Sequence, residues 1–178
     1  MQCHTGLRQL DKRRIDTLAS GSASDHAPFY RSFLRIIESF IMSALSPHTF
    51  LQPDGWIPAR GYANGVMAEG KLVLTGGLVG WNAQQEWEHD DMVGQFRQTL
   101  ENIVAVLDAA GATPQHLVRL TWYITDKKEY NDNLRAFGAA YRDVIGRHFP
   151  TMAVVQVVAL MEDEAKIEIE ATAVIPHV

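Results

Sequence analysis

A chain of 178 residues, 47% hydrophobic and 21% charged, has the material for one domain with a real core and room for an appendage. Its net charge of −5 and pI near 5.8 offer no basic face for nucleic acid, so an RNA- or DNA-binding role is disfavoured on electrostatic grounds. The single cysteine, Cys3, excludes a disulfide framework and a cysteine-based zinc site, and no apolar run reaches the roughly 18 residues of a membrane span.

Residues 1 to about 27 are polar, carry the tract Ser20-Gly21-Ser22-Ala23-Ser24 and keep no steady period, as expected of a disordered lead. Arg8, Lys12, Arg13 and Arg14 are mixed with Asp11 and Asp16 and are followed by no continuous apolar core, unlike a secretory signal. With the near absence of cysteine, this makes the cytoplasm the expected compartment. Phe29, Phe33, Ile36, Ile37, Phe40, Ile41 and Leu45 then recur at helical spacing and predict an amphipathic helix over about 28–45, stopped by Pro47. Only Arg31 and Arg35 dress its polar face, so docking on the body is favoured over a membrane surface. Residues 1–46 hold six basic and four acidic side chains against ten and seventeen in the remainder. That split, with Met42 ahead of a short polar run, supports a second reading in which the native product starts at Met42. The expected organisation is an amino-terminal extension over 1–49 and a domain over 50–178.

The body opens with a turn at Gln52-Pro53-Asp54-Gly55. Arg60–Met67 and Lys71–Leu74 read as two short strands joined by Ala68-Glu69-Gly70, the second ending at Thr75-Gly76-Gly77. Gly80 to Glu88 reads as an exposed loop. A helix follows over about 90–110, capped by Asp90 or Asp91, with Val93, Phe96, Leu100, Ile103, Val104 and Leu107 in one stripe and Gly111 at its end. His116–Thr125 alternates as a strand, with Val118, Leu120, Trp122 and Ile124 on one face. Asp126 and Glu129 suggest a capping box for a second helix, whose stripe is Leu134, Phe137, Tyr141, Val144 and Ile145.

The last stretch, Phe149 to Pro176, reads as two strands. Ala153–Leu160 is almost continuously apolar, as in a strand covered on both faces. Lys166–Ile175 alternates, with Ile167, Ile169, Ala171 and Ala173 opposite Glu168, Glu170 and Thr172. The acidic connector Met161-Glu162-Asp163-Glu164 predicts a hairpin between them. Two helices with one apolar stripe each can share one face of a single sheet. Val154, Val158 and the Trp122 region would then need a second surface over the other face.

The Phe149-Pro150 entry, the hydrophobic strand, the acidic turn and the closing Ile-Glu-Ile-Glu-Ala strand resemble the carboxy-terminal signature of the RidA/YjgF reactive-intermediate deaminases, also labelled endoribonuclease L-PSP. Tyr62-Ala63-Asn64-Gly65, Thr75-Gly76-Gly77-Leu78, Ala109-Ala110-Gly111 and Thr121 to Asp126 are similar to further motifs of that family, so the resemblance spans about residues 50–176. It implies an α+β, chorismate-mutase-like fold: a single mixed sheet with two helices on one face, in a homotrimer with ligand clefts between subunits. No cofactor is implied, and the histidines show no metal-ligand spacing.

In active members an arginine two past the proline grips the carboxylate of a 2-imino or 2-enamino acid, and a glutamate on the last strand activates water. The resemblance carries the glutamate to Glu168 and the family tyrosine to Tyr62, with Thr75, Gly76, Gly77, Leu134, Met152 and Val154 as the other substrate-binding positions. Serine has become Gly76, asparagine Leu134 and arginine Met152. A thioether cannot replace a guanidinium. The cleft therefore becomes more apolar, with Trp81 and Trp122 as candidate walls, and Arg147 or His148 as a candidate substitute cation. The leading expectation is an imine/enamine deaminase with altered substrate anchoring. The alternative is a non-catalytic trimeric module binding a small apolar metabolite, and an endoribonuclease or translation inhibitor comes third.

Overall fold

The computed structural model describes residues 46–177. The polar lead, the amphipathic helix expected over about 28–45 and the Met42 start lie outside the described residues.

Strand β1 (Thr49–Leu51) pairs antiparallel with β2 (Gly65–Met67) in a two-stranded ribbon. The ribbon flanks the predicted turn, where Trp56 N–H donates to Pro53 O at 3.2 Å. The main sheet is mixed. It runs β3 (Lys71–Leu74), β7 (Ile167–Ile175), β5 (Leu117–Ile124), β6 (Thr151–Gln156), with the short β4 (Leu78–Val79) also paired to β7. The long helix α1 (Met92–Ala109) and the pair α2 (Lys127–Asp132) and α3 (Leu134–Val144) complete the fold.

Helix α1 follows the predicted pattern. Asp91 Oδ1 accepts the Gly94 N–H at 2.9 Å, which satisfies one of the donors left free at a helix start. Phe96, Leu100, Ile103 and Leu107 are fully buried, and Gly111, at φ 72°, closes the helix in the left-handed conformation. The second predicted helix is two. Asp126 caps α2 through the Lys128 and Glu129 N–H groups. Glu129 does not close a capping box; its carboxylate accepts from Met92 N–H at 2.9 Å and Lys166 Nζ at 3.2 Å. The helix breaks at Asn133, whose side chain donates to Glu129 O at 2.8 Å, the competition with backbone bonding that makes Asn a poor interior residue. Leu134 consequently starts α3 exposed, outside the buried stripe of Phe137, Tyr141 and Ile145.

Three strand expectations need correction. The two carboxy-terminal strands are not a hairpin, because β5 lies between them, parallel to β6 and antiparallel to β7. Parallel neighbours need a long crossover, which α2 and α3 supply, while the acidic segment after β6 is long enough to step across β5. The strand expected over Arg60–Met67 is shorter, since β2 covers only Gly65–Met67 and joins β1, while β3 joins β7. Finally, β6 stops at Gln156 and is an edge of the sheet among the described residues, which do not cover its apolar run on both faces: Val154 and Val155 are exposed and Val158 fully so.

The core lies between the sheet and the helices. A bulge between Leu117 and Arg119 turns Leu117 rather than Val118 inward, with Leu120, Trp122 and Ile124. Trp122 therefore belongs to the helix side, not to the uncovered face. Its ring lies 4.7 Å from Phe96, which lies 4.9 Å from Phe137. On the other face Glu168, Glu170 and Thr172 of β7 stand beside Thr121 and Tyr123 of β5. Leu72 and Leu74 of β3 and Val155 of β6 remain exposed there. No helix among the described residues is long and apolar enough to cross a membrane.

Candidate functional site

Glu168 sits on β7 opposite Val79 on one side and Tyr123 on the other, on the open face of the sheet. Its carboxylate rests against Gly77, where an added Cβ would overlap Oε1. Absence of a side chain at that position is thus what admits the carboxylate. Thr75 fixes the approach: its N–H donates to Ala171 O at 3.0 Å, and its hydroxyl accepts the Ala171 N–H at 2.9 Å. Asn102 of α1 holds the following turn by donating to Val79 O at 3.0 Å and Trp81 O at 2.8 Å. Gly80 lets that turn press on the helix, since a Cβ there would come within 2.6 Å of Gln95 Cα. Thr75, Gly76, Gly77 and Glu168 therefore form one built corner.

Tyr62, Met152 and Val154 form a second group. They line a cavity of about 220 Å³ with Arg60, Gly61, Trp122 and Tyr130. Met152 and Val154 are register partners of Leu120 and Trp122, so they share the helix side of the sheet with those residues. Tyr62 is carried there by a loop, anchored where Ala63 N–H donates to Pro150 O at 2.9 Å. Trp122 Nε1 is buried and has no hydrogen-bond partner among the described residues. Burial raises the pKa of Tyr130 and keeps its phenol protonated.

The two groups do not meet in one chain. Glu168 and Met152 lie two strands apart, about 10 Å at ordinary strand spacing, and on opposite sheet faces. Leu134 lines neither group. Trp81 is not a wall of the cavity; it bridges to Trp87 across a tight turn organised by Asn82, with ring centroids 5.8 Å apart. His148 is not a free cation either. It is buried, with Nε2 at 2.7 Å from Leu117 O, and burial lowers its pKa. Arg147 is exposed on the turn before it. A larger cavity of about 470 Å³, by the acidic segment 162–164, contains none of the expected site residues. The described residues hold no group of three or more His, Cys, Asp or Glu able to take a metal. Arg60 and Tyr130 were missed in the sequence, because neither belongs to a motif; only the fold brings them beside Met152.

The family model for Endoribonuclease L-PSP matches residues 55–175. The chain belongs to this family, the RidA/YjgF group. It is 33% identical over 108 residues to a 2-iminobutanoate/2-iminopropanoate deaminase of Salmonella typhimurium, covering 59% of this chain and 80% of the relative. It is 32% identical over 105 residues to a RutC family protein of Haemophilus influenzae, with the same coverage. The solved Rid family protein YyfB of Yersinia pestis is 32% identical and superposes with a TM-score of 0.65 over 72% of this chain and 98% of that one. The YjgF gene product of Escherichia coli is 30% identical and gives 0.51 over 71% and 98%. The mixed α+β architecture is thus that of RidA-family structures. The resemblance rests on the whole span from turn to last strand, not on the Glu168 strand alone.

Proposed function

We propose that this RidA-family protein hydrolyses a reactive imine or enamine to a carbonyl compound and ammonia, in clefts formed between subunits of a chorismate-mutase-like homotrimer. Water adds to the imine carbon, the carbon–nitrogen bond breaks, and the nitrogen leaves as ammonia. Glu168 accepts the proton of the attacking water. Gly77 seats the carboxylate and Gly76 leaves open space nearby, and Tyr62, Met152 and Val154 of another copy hold the substrate. Leu134, exposed at the start of α3, would reach the cleft only from a neighbouring copy.

The observation that carries this reading is the corner around Glu168: a carboxylate on the open sheet face, seated on a glycine and held by Thr75 and the Asn102-fixed turn. A solvent-facing strand glutamate needs no such seat. Placement of the Tyr62–Met152–Val154 group on the opposite face supports a site completed by a second copy, as do the exposed Leu72, Leu74 and Val155 on the Glu168 face. One feature favours the second reading, a binding module without catalysis: Met152 brings no charge to the position where active relatives carry arginine. The test is ammonia release when the purified protein meets imines generated enzymatically from several amino acids. Activity abolished by Glu168→Gln supports the hydrolase; no release from any imine, with ligand binding intact, leaves the binding module.

A further inference from the structure

The cavity beside Met152 has lost the family arginine but not its cation. Arg60 lines it, and among the described residues no other charged side chain does. Among the described residues Arg60 takes part in none of the ion pairs, which join Arg97 to Asp143, Lys128 to Asp132 and Lys166 to Glu129. The rest of the wall is aromatic and apolar: Tyr62, Trp122, Tyr130, Met152 and Val154. A guanidinium in the wall of a pocket otherwise lined by uncharged described residues is a site for a planar anion, because it offers paired donors with no competing carboxylate among them.

We propose that Arg60 anchors the carboxylate of a small monocarboxylate ligand in this cavity, with the ligand's uncharged remainder packed on Tyr62, Met152 and Val154. This rests on the cavity being the substrate-holding half of the proposed cleft. Anchoring then comes from the loop before Tyr62 and not from the strand after Pro150, so the ligand enters at a different angle from one gripped at position 152. A volume of about 220 Å³ lies below that of an ordinary drug-sized site and suits a small molecule. The orphaned Trp122 N–H adds a second demand for an acceptor. An indole N–H can only donate, so a carboxylate oxygen that reached it would satisfy it.

Calorimetric titration of the full chain with 2-oxobutanoate and with 2-butanone, which lacks the carboxylate, tests this. Expected is a preference of ten- to hundred-fold for the acid, the range of a charge-assisted bond. Arg60→Gln should remove that preference and leave 2-butanone binding unchanged, while Arg60→Lys, a point charge without the fork, should keep part of it. Arg60 is exposed, so both variants should fold, which circular dichroism checks. Saturation with 2-oxobutanoate should also move one indole ¹⁵N–¹H resonance, the one lost in Trp122→Phe. Equal binding of acid and ketone, an Arg60→Gln variant that keeps the preference, or no binding of either overturns the proposal. Ammonia release is measured separately: its absence with Arg60-dependent binding refutes the hydrolase and leaves the anchor, and release unaffected by Arg60→Gln does the reverse.

Discussion

Replacing Gln95 by leucine should destabilise the fold more than a polar-to-apolar core change ordinarily does. Gln95 is 1% exposed and joins α1 to the start of β7. Its Nε2 donates to His89 O at 3.1 Å and Glu164 O at 2.9 Å, and its Oε1 accepts the Lys166 N–H at 2.7 Å. Leucine keeps the volume and the helix propensity, so the loss is three hydrogen bonds and the three backbone groups left behind. A buried group stranded in this way costs about 1–3 kcal/mol. The Glu164 carbonyl belongs to an exposed residue and can turn to water, so the total should be about 3–5 kcal/mol, a large part of an ordinary domain's stability. Thermal unfolding, with protomer concentration matched because assembly raises apparent stability, should show a drop on the order of 10 °C. Hydrogen exchange should show the Lys166 amide losing protection first. A variant within about 1 kcal/mol of the parent with that amide still protected would refute the reasoning. The consequence reaches the candidate site, since Lys166 is two residues before Glu168 on the same strand.

Met152→Arg should introduce or strengthen ammonia release from 2-aminoacrylate, and Glu168→Ala added to it should abolish the gain. Arg60 lines the same cavity, and two guanidinium groups a few ångströms apart repel by roughly 1 kcal/mol in a wet site, so the gain should stay near ten-fold; no release above background counts against the hydrolase. Burial lowers the pKa of His148 from its ordinary 6.5, so the unfolded chain binds the extra proton first. Stability should be full above about pH 6.5 and fall as the pH drops towards the folded-state value, and urea titrations at several pH values should show this slope flattened in His148→Gln. Deleting residues 1–41 should leave a homotrimer by light scattering, because the family match begins at residue 55; a stable monomer, in either form, contradicts the assembly.

Local pattern made most of the elements legible. Asp91, the Phe96 to Leu107 stripe and Gly111 specify α1 from end to end, and the alternation of Ile167 to Ala173 fixes which face of β7 carries Glu168. Pairing was another matter. Adjacent apolar strands joined by a polar connector look like a hairpin whether or not a third strand comes between them, and only the β5–β6 crossover decides it. The exposed Leu134 departs from the expected stripe for a similar reason: periodicity continues through Asn133, and a single side-chain bond to Glu129 O stops the helix. As for the candidate site, the motifs pick out Glu168, Gly77 and Tyr62 as positions in the chain but carry no information on how far apart the fold sets Tyr62 and Glu168. Arg60 comes beside Trp122, Tyr130, Met152 and Val154 only through the fold.

The separation of the two groups leads to the sharpest test of a shared cleft. If each cleft joins the cavity of one subunit to the Glu168 corner of the next, a subunit with a blocked cavity still offers a good carboxylate. A subunit without the carboxylate still offers a good cavity. Val154→Trp blocks the cavity by filling it from the exposed sheet edge, and Glu168→Gln removes the base. Each homo-oligomer should be inactive. After subunit exchange at equal amounts, random assembly on a three-fold axis places an intact cavity against an intact carboxylate in about one cleft in four. Ammonia release should therefore return to roughly a quarter of the parent level. A site contained in one chain predicts no recovery at any mixing ratio, since every subunit then carries one defect. Zero recovery, with exchange verified by mass spectrometry of differently labelled subunits, would rule out the shared cleft. It would also remove Met152 and Val154 from the reaction, since they lie on the sheet face opposite Glu168.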